Sequence, residues 1–237
     1  MTVETDRPPR RGIPRPVEAA AAAAGLVLAS PVIALAGLLV RATSAGPVFF
    51  RQARIGRGGK PFTLWKLRTM RISEGGPQVT ARGDARVTPV GRALRRTKLD
   101  ELPQLWNVVA GDMSFVGPRP EVPRYVDAGD SRWARVLSVR PGITDPVTLE
   151  LADEESLLAR ASDPERYYRE ELQPEKLRRY VEYLDRRTAW SDLAVLVQTV
   201  LALAIPARRS RPQRPAAVAT TRRIQSPGAE SKRLDGR

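Results

Sequence analysis

The amino-acid sequence predicts an α+β protein, mostly helical with a small β-hairpin, carrying near its N-terminus an apolar segment of membrane-spanning length. Three features predict it. Residues 19 to 40 contain no charged side chain. Between Val48 and Met70, two runs rich in aromatic and β-branched residues flank a turn built from Gly56, Gly58, Gly59 and Pro61. From Asp153 to Leu184 the spacing is helical with many charges, and a mostly apolar run comes next, from Leu193 to Ile205. A chain of 237 residues suits one ordinary domain with appendages. Because it has no Cys and no His, thiolate zinc sites, disulfide scaffolds, cysteine nucleophiles and histidine-based triads are excluded. A formal charge of +14 implies an anionic partner: nucleic acid, acidic lipid or a phosphorylated substrate.

The charge is uneven along the chain. Residues 1 to 18 hold four Arg against Glu4, Asp6 and Glu18, whereas residues 207 to 237 hold nine Lys or Arg against Glu230 and Asp235, a net of +7. That tail is rich in Pro, Arg, Ser and Ala without apolar periodicity, so it is expected to be disordered. The apolar segment from Ala19 to Val40 would extend about 33 Å as a helix, enough to cross a hydrocarbon core of about 30 Å. A signal peptide, a kinked span and a re-entrant hairpin compete for it. Basic residues upstream and Thr43-Ser44-Ala45 fit a signal peptide, but the apolar run exceeds the usual length of about 7 to 15 residues. Ser30 and Pro31 stand in the middle, where Pro31 removes an amide donor and frees the Val27 carbonyl, to which Ser30 can bond back. Arg7, Arg10, Arg11 and Arg15 precede the segment and Arg41, Arg51, Arg54 and Arg57 come after it; positive charge on both flanks favours a hairpin. Proline is tolerated in spanning helices, so the residues alone leave a kinked span and a hairpin both open.

The hairpin loop contains Gly59-Lys60, but Pro61 stands where a nucleotide P-loop needs Ser or Thr. The run from Leu193 to Ile205 is too short to span a membrane and reads as a core or interfacial helix. In the densest stretch, Thr88 to Pro120, Leu102, Leu105, Trp106 and Val109 fall at helical spacing. Pro103 belongs in a first turn, which predicts a helix starting near Leu102. Asp100 and Glu101 then lie at its N-terminus, where amides and the dipole keep carboxylates ionised and a phosphate can dock. The plainer reading is that the acidic pair merely caps the helix. Arg92, Arg95, Arg96 and Lys98 precede the pair, and Gly117-Pro118-Arg119-Pro120 lies beyond it as a rigid turn presenting one guanidinium. Carboxylates with arginines suit a divalent cation and a phosphoryl group, although Arg92 and Arg96 read equally as solvated surface.

WKLRTM at Trp65 to Met70, LDELPQLWNVVAGDMSFVGPRP at Leu99 to Pro120 and VRPGIT at Val139 to Thr144 together resemble the bacterial sugar transferase family, monotopic polyprenol-phosphate phosphoglycosyl transferases. The resemblance extends from Ser30-Pro31 to Leu193 and is to the small, catalytic-domain-only form. It implies transfer of a phosphosugar from a nucleoside diphosphate sugar, usually UDP-linked, to undecaprenyl phosphate with release of UMP. It also implies Asp100 as nucleophile forming a covalent phosphosugar intermediate, Glu101 as its partner, and Mg²⁺ at the pair. Lys66, Arg95 and Arg119 match basic positions of the family pattern and Arg140 lies in the VRPGIT motif; all four are expected to bind substrate. Ser30 and Pro31 match the break of a re-entrant helix-break-helix, which places the catalytic domain on the cytoplasmic face of the bacterial inner membrane.

The expected organisation is thus a basic tail at 1–17, a re-entrant helix at 18–41, the catalytic domain at 42–206 and a disordered basic tail at 207–237, with anionic lipids as a further partner for the tail. Many relatives continue the GIT motif with Gly-Trp, where this chain has Asp145-Pro146, so the identity of the sugar and the role of Asp145 stay open. A basic membrane-tethered adaptor or nucleic-acid binder is the rival from composition, but four Phe, five Tyr and no nucleic-acid module give it little to bind with, and no nucleic acid is expected.

Overall fold

A computed structural model describes residues 12–72, 79–151 and 154–204; the expected basic tail at 207–237 lies outside them. Helix α1 runs over Arg15–Thr43 and passes through Pro31 as one continuous helix, so the expected break does not separate two helices. The freed carbonyl of Val27 accepts the Ser30 hydroxyl at 2.7 Å, which satisfies the acceptor that Pro31 leaves without an amide partner. The hairpin forms as expected: β1, Phe49–Ile55, pairs antiparallel with β2, Pro61–Leu67, with Phe50 opposite Lys66 and Phe49 opposite Leu67.

Helix α2 covers Pro89–Thr97, opened by Thr88, whose side chain accepts the Gly91 amide. Helix α3 covers Gln104–Ala110 rather than starting at Leu102, because Leu99–Glu101 turns as a 3₁₀ helix first and Pro103 supplies the N-cap. Of the residues at helical spacing, Leu105 and Val109 pack against the cluster of Leu64, Val108 and Met113. Gln104, Asn107 and Val108 point inward while Trp106 is exposed. Asn107 earns its place by bonding across to β2: its side-chain oxygen accepts the Trp65 amide and its amide nitrogen donates to the Thr63 carbonyl.

A second sheet that alternation did not reveal pairs β3, Ser114–Val116, in parallel with β4, Gly142–Thr144. Both of its segments come from the motif stretches, and glycine explains why. A Cβ on Gly117 would sit 2.6 Å from the Arg140 carbonyl, and one on Gly142 would sit 2.2 Å from the Gly117 amide, so the two backbones cross where no side chain fits. The remainder is helical: α4 at Ser131–Val136, α5 at Pro146–Glu150, α6 at Glu154–Arg160, α7 at Pro164–Tyr167, α8 at Gln173–Arg186 and α9 at Ala189–Ala204. Two apolar clusters bind these helices together, one around Tyr125, Leu158, Tyr168 and Leu172, the other around Trp133, Val147, Leu177 and Tyr180.

Helix α1 is long and apolar enough to cross a membrane, yet both of its ends pack on this same body. At the N-terminal end, Ala22 is fully buried against Leu64, Val108 and Met113. There Glu18 accepts the Phe115 amide and the Ser114 hydroxyl, and Arg15 donates to the Val108 and Val109 carbonyls at the end of α3, where a cation complements the helix dipole. At the C-terminal end, Ala36 and Val40 pack with Leu67 and Leu94, and Arg68 holds the Ser44, Ala45 and Gly46 carbonyls. Between the two ends, Val27, Leu28, Leu35 and Leu38 are exposed. Helix α9 is likewise no core helix: Asp192 and Val195 are buried, whereas Trp190, Val197, Val200 and Leu203 are open to the surroundings.

Candidate active site

The acidic pair occupies the 3₁₀ turn between α2 and α3. The chain reaches it through Lys98, the one non-glycine residue with positive φ (57°) among the described residues, a conformation that costs roughly 1 kcal/mol. Neither carboxylate caps a helix, since neither end of this segment receives a side-chain cap bond. The capping reading therefore fails, and the pair is held by tertiary contacts instead.

Glu101 is gripped on two sides. The Lys66 ammonium on β2 lies 3.0 Å from Oε1, and the Arg119 guanidinium forks onto it, with Nη2 2.6 Å from Oε1 and Nη1 3.3 Å from Oε2. Burial pushes the Glu101 carboxyl up, but Arg119 and Lys66 together overcome it and hold it well below the usual carboxylate range. The same carboxylate raises Arg119 further above its ordinary value. Lys66 goes the other way: burial, reinforced by Arg119, outweighs Glu101 and brings its pKa down to about 8.

Asp100 is only 5% exposed, and its Oδ1 is buried without a hydrogen-bond partner, the only carboxylate oxygen so placed among the described residues. Burial first, then the neighbouring Glu101 charge, raises its pKa above the ordinary value; Lys66, Lys98 and Arg95 pull the other way without cancelling the rise. The expectation that both carboxylates are simply favoured as anions thus holds for Glu101 and not for Asp100. Around Asp100 and Glu101 the cations Lys66, Lys98 and Arg119, with Arg95 farther out, outnumber the two carboxylates, a balance suited to a pyrophosphate.

Lys66 and Arg119 are therefore brought to the acidic pair. Arg95 stands one layer away, bonded to Thr69, Thr80 and Glu155, and it acts on Asp100 through space. Arg140 is not brought there: it donates to the Gly111 carbonyl, and its charged neighbours are Arg57, Arg15 and Glu18. Asp145, fully buried, caps α5 by accepting the Thr148 amide at 2.7 Å and the Thr148 hydroxyl at 2.6 Å. Sequence reasoning missed the buttress of the Arg119 turn. Arg54 donates to the Pro120 carbonyl at 2.9 Å and faces Glu121, whose other oxygen takes the Tyr168 hydroxyl. No spacing signal marks these residues, because Arg54 reads as one outward position of a strand and the other two lie 67 and 114 residues beyond it.

No group of three or more carboxylates gathers among the described residues. Mg²⁺ commonly takes one or two carboxylates and completes its octahedron with water and substrate phosphates. Asp100, with an oxygen free of partners, fits that donor set; Glu101, expected beside it, has both oxygens engaged by Lys66 and Arg119.

Comparison with known proteins agrees with this arrangement. A family model described as bacterial sugar transferase matches residues 10–205. A UDP-glucose:undecaprenyl-phosphate glucose-1-phosphate transferase of Caulobacter vibrioides is 40% identical over 194 residues, covering 80% of this chain and 68% of that protein. A putative undecaprenyl-phosphate N-acetylgalactosaminyl 1-phosphate transferase of Bacillus subtilis is 48% identical over 105 residues, 44% of this chain and 59% of its own length. An Escherichia coli protein named like the Caulobacter one is 45% identical over 128 residues, half of this chain and only 27% of its own. With residues 10–205 matched by the family, and with Lys66, Asp100, Glu101 and Arg119 from its motifs gathered at one charged site, the chain belongs to the bacterial sugar transferases.

Proposed function

We propose that the protein transfers a sugar-1-phosphate from a UDP-sugar to undecaprenyl phosphate, releasing UMP, through a covalent intermediate on Asp100. The observation that carries this reading is the Asp100 carboxylate, buried with an unpartnered oxygen beside a Glu101 whose charge is already taken up by Lys66 and Arg119. A carboxylate without hydrogen bonds is the better nucleophile, and burial favours its conversion to a neutralised or transferred state. In the first step an Asp100 oxygen attacks the sugar-linked phosphorus. The bond from that phosphorus to the bridging oxygen breaks, and UMP leaves with the electron pair. In the second step an oxygen of the lipid phosphate attacks the same phosphorus, and the Asp100 carboxylate is released unchanged.

Lys66 and Arg119 orient the pyrophosphate and spread the charge that develops on its oxygens, and Glu101 fixes both cations in place. Mg²⁺ held by Asp100 and substrate oxygens would supply further neutralisation of the phosphates. The docking of both ends of α1 on one body supports embedding without crossing, with the site at the cytoplasmic membrane surface. The net +7 of residues 207–237 adds attraction to anionic lipids, about 1 kcal/mol per residue held at the surface. The adaptor reading draws no support once Asp100 and Glu101 are seen not to cap a helix.

The test is a half-reaction. Given UDP-sugar and Mg²⁺ without lipid, the enzyme should release one UMP per site and gain one phosphosugar, mapped by mass spectrometry to Asp100. Asp100→Asn should show neither adduct nor turnover, and its melting temperature should equal or exceed wild type, because a buried charge without a bonding partner is removed. An adduct on another residue, or an active Asp100→Asn enzyme, overturns the proposal.

A further inference from the structure

Along the outer flank of α1 runs an open groove of about 580 Å³, walled by α1 on one side and the start of β1 on the other. It stretches from Leu26 to Arg41, about 22 Å along the helix axis. Its lining is apolar apart from Ser30, whose hydroxyl is turned onto the Val27 carbonyl, and Arg41, the only charged liner, in the last turn of α1. The groove exists because Gly37 lets the helix approach the strand: a Cβ there would stand 2.9 Å from Val48 Cγ1. Its floor is continuous with the site. Ile33 and Val48 pack on the cluster of Val40, Leu67 and Leu94 that also takes in Leu99, the residue before Asp100. Phe49, at the rim, pairs across the hairpin with Leu67, next to Lys66.

We infer that this groove seats the proximal isoprenoid units of the polyprenyl phosphate acceptor, with Arg41 at the phosphate-proximal end. The inference rests on the transfer reading proposed above and deepens it. The match is one of chemistry: a long apolar chain ending in one phosphate meets a long apolar channel ending in one guanidinium. A polyprenyl chain already lies in lipid and gains no hydrophobic free energy by leaving it, so the groove acts by orientation. It fixes where the lipid phosphate stands relative to the phosphosugar on Asp100, and misplacement by about 1 Å costs up to about a hundredfold in rate.

Ala34 lines the groove and is exposed, so Ala34→Trp fills the channel without entering the core. Leu28 is exposed on the same helix outside the groove, and Leu28→Trp is the control for added bulk. Full-length enzymes in nanodiscs would be assayed in two stages: UMP release without acceptor, then transfer to undecaprenyl phosphate or to a short-chain acceptor, the phosphate of a single isoprenoid unit, too short to reach Ala34 from Arg41, about 10 Å away along the helix. Ala34→Trp should lower kcat/KM for undecaprenyl phosphate at least about tenfold relative to its own UMP release. With the short-chain acceptor the loss should shrink, and Leu28→Trp should match wild type throughout. Arg41→Gln should weaken both acceptors alike. Equal kinetics for Ala34→Trp and Leu28→Trp, or a loss by Ala34→Trp that does not depend on acceptor length, would overturn the groove assignment. Absence of any adduct in wild-type enzyme would instead overturn the transfer reading itself, so the two failures are distinct.

Discussion

Replacing Glu101 with Gln removes one charge and keeps shape, and the geometry around Lys66 sets the response. Lys66 has a pKa of about 8 against an ordinary 10.5, and Glu101, 3.0 Å away, is the largest influence holding it up. At pH 7 a group with that pKa is about 90% protonated. An opposite charge at this range is worth about 1–3 pKa units, so Glu101→Gln should bring Lys66 to about 7 or below and leave half or fewer of the molecules with a charged ammonium. Arg119 stays charged at any working pH. The alkaline limb of the UMP-releasing half-reaction should therefore move from about 8 to about 7 or lower, measured by single-turnover release without acceptor. The Lys66→Arg control should abolish that limb, since guanidinium does not titrate there. Stability should respond with the opposite sign. A lysine whose folded pKa is lowered binds fewer protons folded than unfolded between the two values, so its contribution to stability rises with pH from about 8 to 10.5 in wild type. In Glu101→Gln that rise should begin at a lower pH. Breaking the buried cluster costs about 3–5 kcal/mol with both cations charged, and the cost shrinks as Lys66 deprotonates. An alkaline limb that stays near 8 in Glu101→Gln would refute the reasoning, because Glu101 would then not be what keeps Lys66 charged.

The scaffold carries two further expected outcomes. The buried pair of Arg187 and Asp192, 2.8 Å apart and 7% and 0% exposed, ties α9 to the Val116 carbonyl of β3 and to the Ile13 amide; Asp192→Asn should cost about 3–5 kcal/mol, read as a melting point lower by about 2–4 °C per kcal/mol, while Arg187→Met with Asp192→Leu should lose much less. Because the native chain has no cysteine, Arg10→Cys and Arg57→Cys report topology cleanly: both should resist an impermeant thiol reagent outside intact cells and react in inverted vesicles, and labelling of either from outside would overturn an α1 that enters and leaves on one side.

Much of the fold was legible because it rests on local rules. The hairpin announced itself through β-branched runs around glycines, and its register places Phe50 against Lys66. The apolar helix was legible from charge alone. Its continuity through Pro31 was not, because a single proline costs one amide bond, and Ser30 recovers the freed carbonyl of Val27 within the same turn. The parallel pair of β3 and β4 was illegible for another reason. Each strand is three residues long, too short for alternation to show, and the pair is set by a backbone crossing at Gly117 and Gly142 that no periodicity encodes. The burial of Gln104 and Asn107 on α3 was not legible because both are polar; Asn107 is buried for its bonds to Thr63 and Trp65, not for its hydrophobicity.

The site divides along the same line. Asp100 and Glu101 stood out by type and position, but their difference in character is tertiary. Both are carboxylates in one turn, and adjacency alone would push both pKa values up. What separates them is that Lys66, 35 residues before Glu101, and Arg119, 18 residues after it, converge on Glu101 and leave Asp100 Oδ1 unmatched. Arg140 and Arg119 look alike in sequence, each beside proline and near a glycine, yet Arg119 reaches Glu101 while Arg140 donates to the Gly111 carbonyl. In the proposed reaction one carboxylate anchors the cations that would meet the pyrophosphate, and its neighbour would have no hydrogen bonds to break before attack. A hydrogen-bonding partner for Asp100 would stabilise its anion and blunt the proposed nucleophile. The cost of leaving it unpartnered falls on the resting fold, which is why replacing it with Asn is expected to abolish turnover without lowering the melting point.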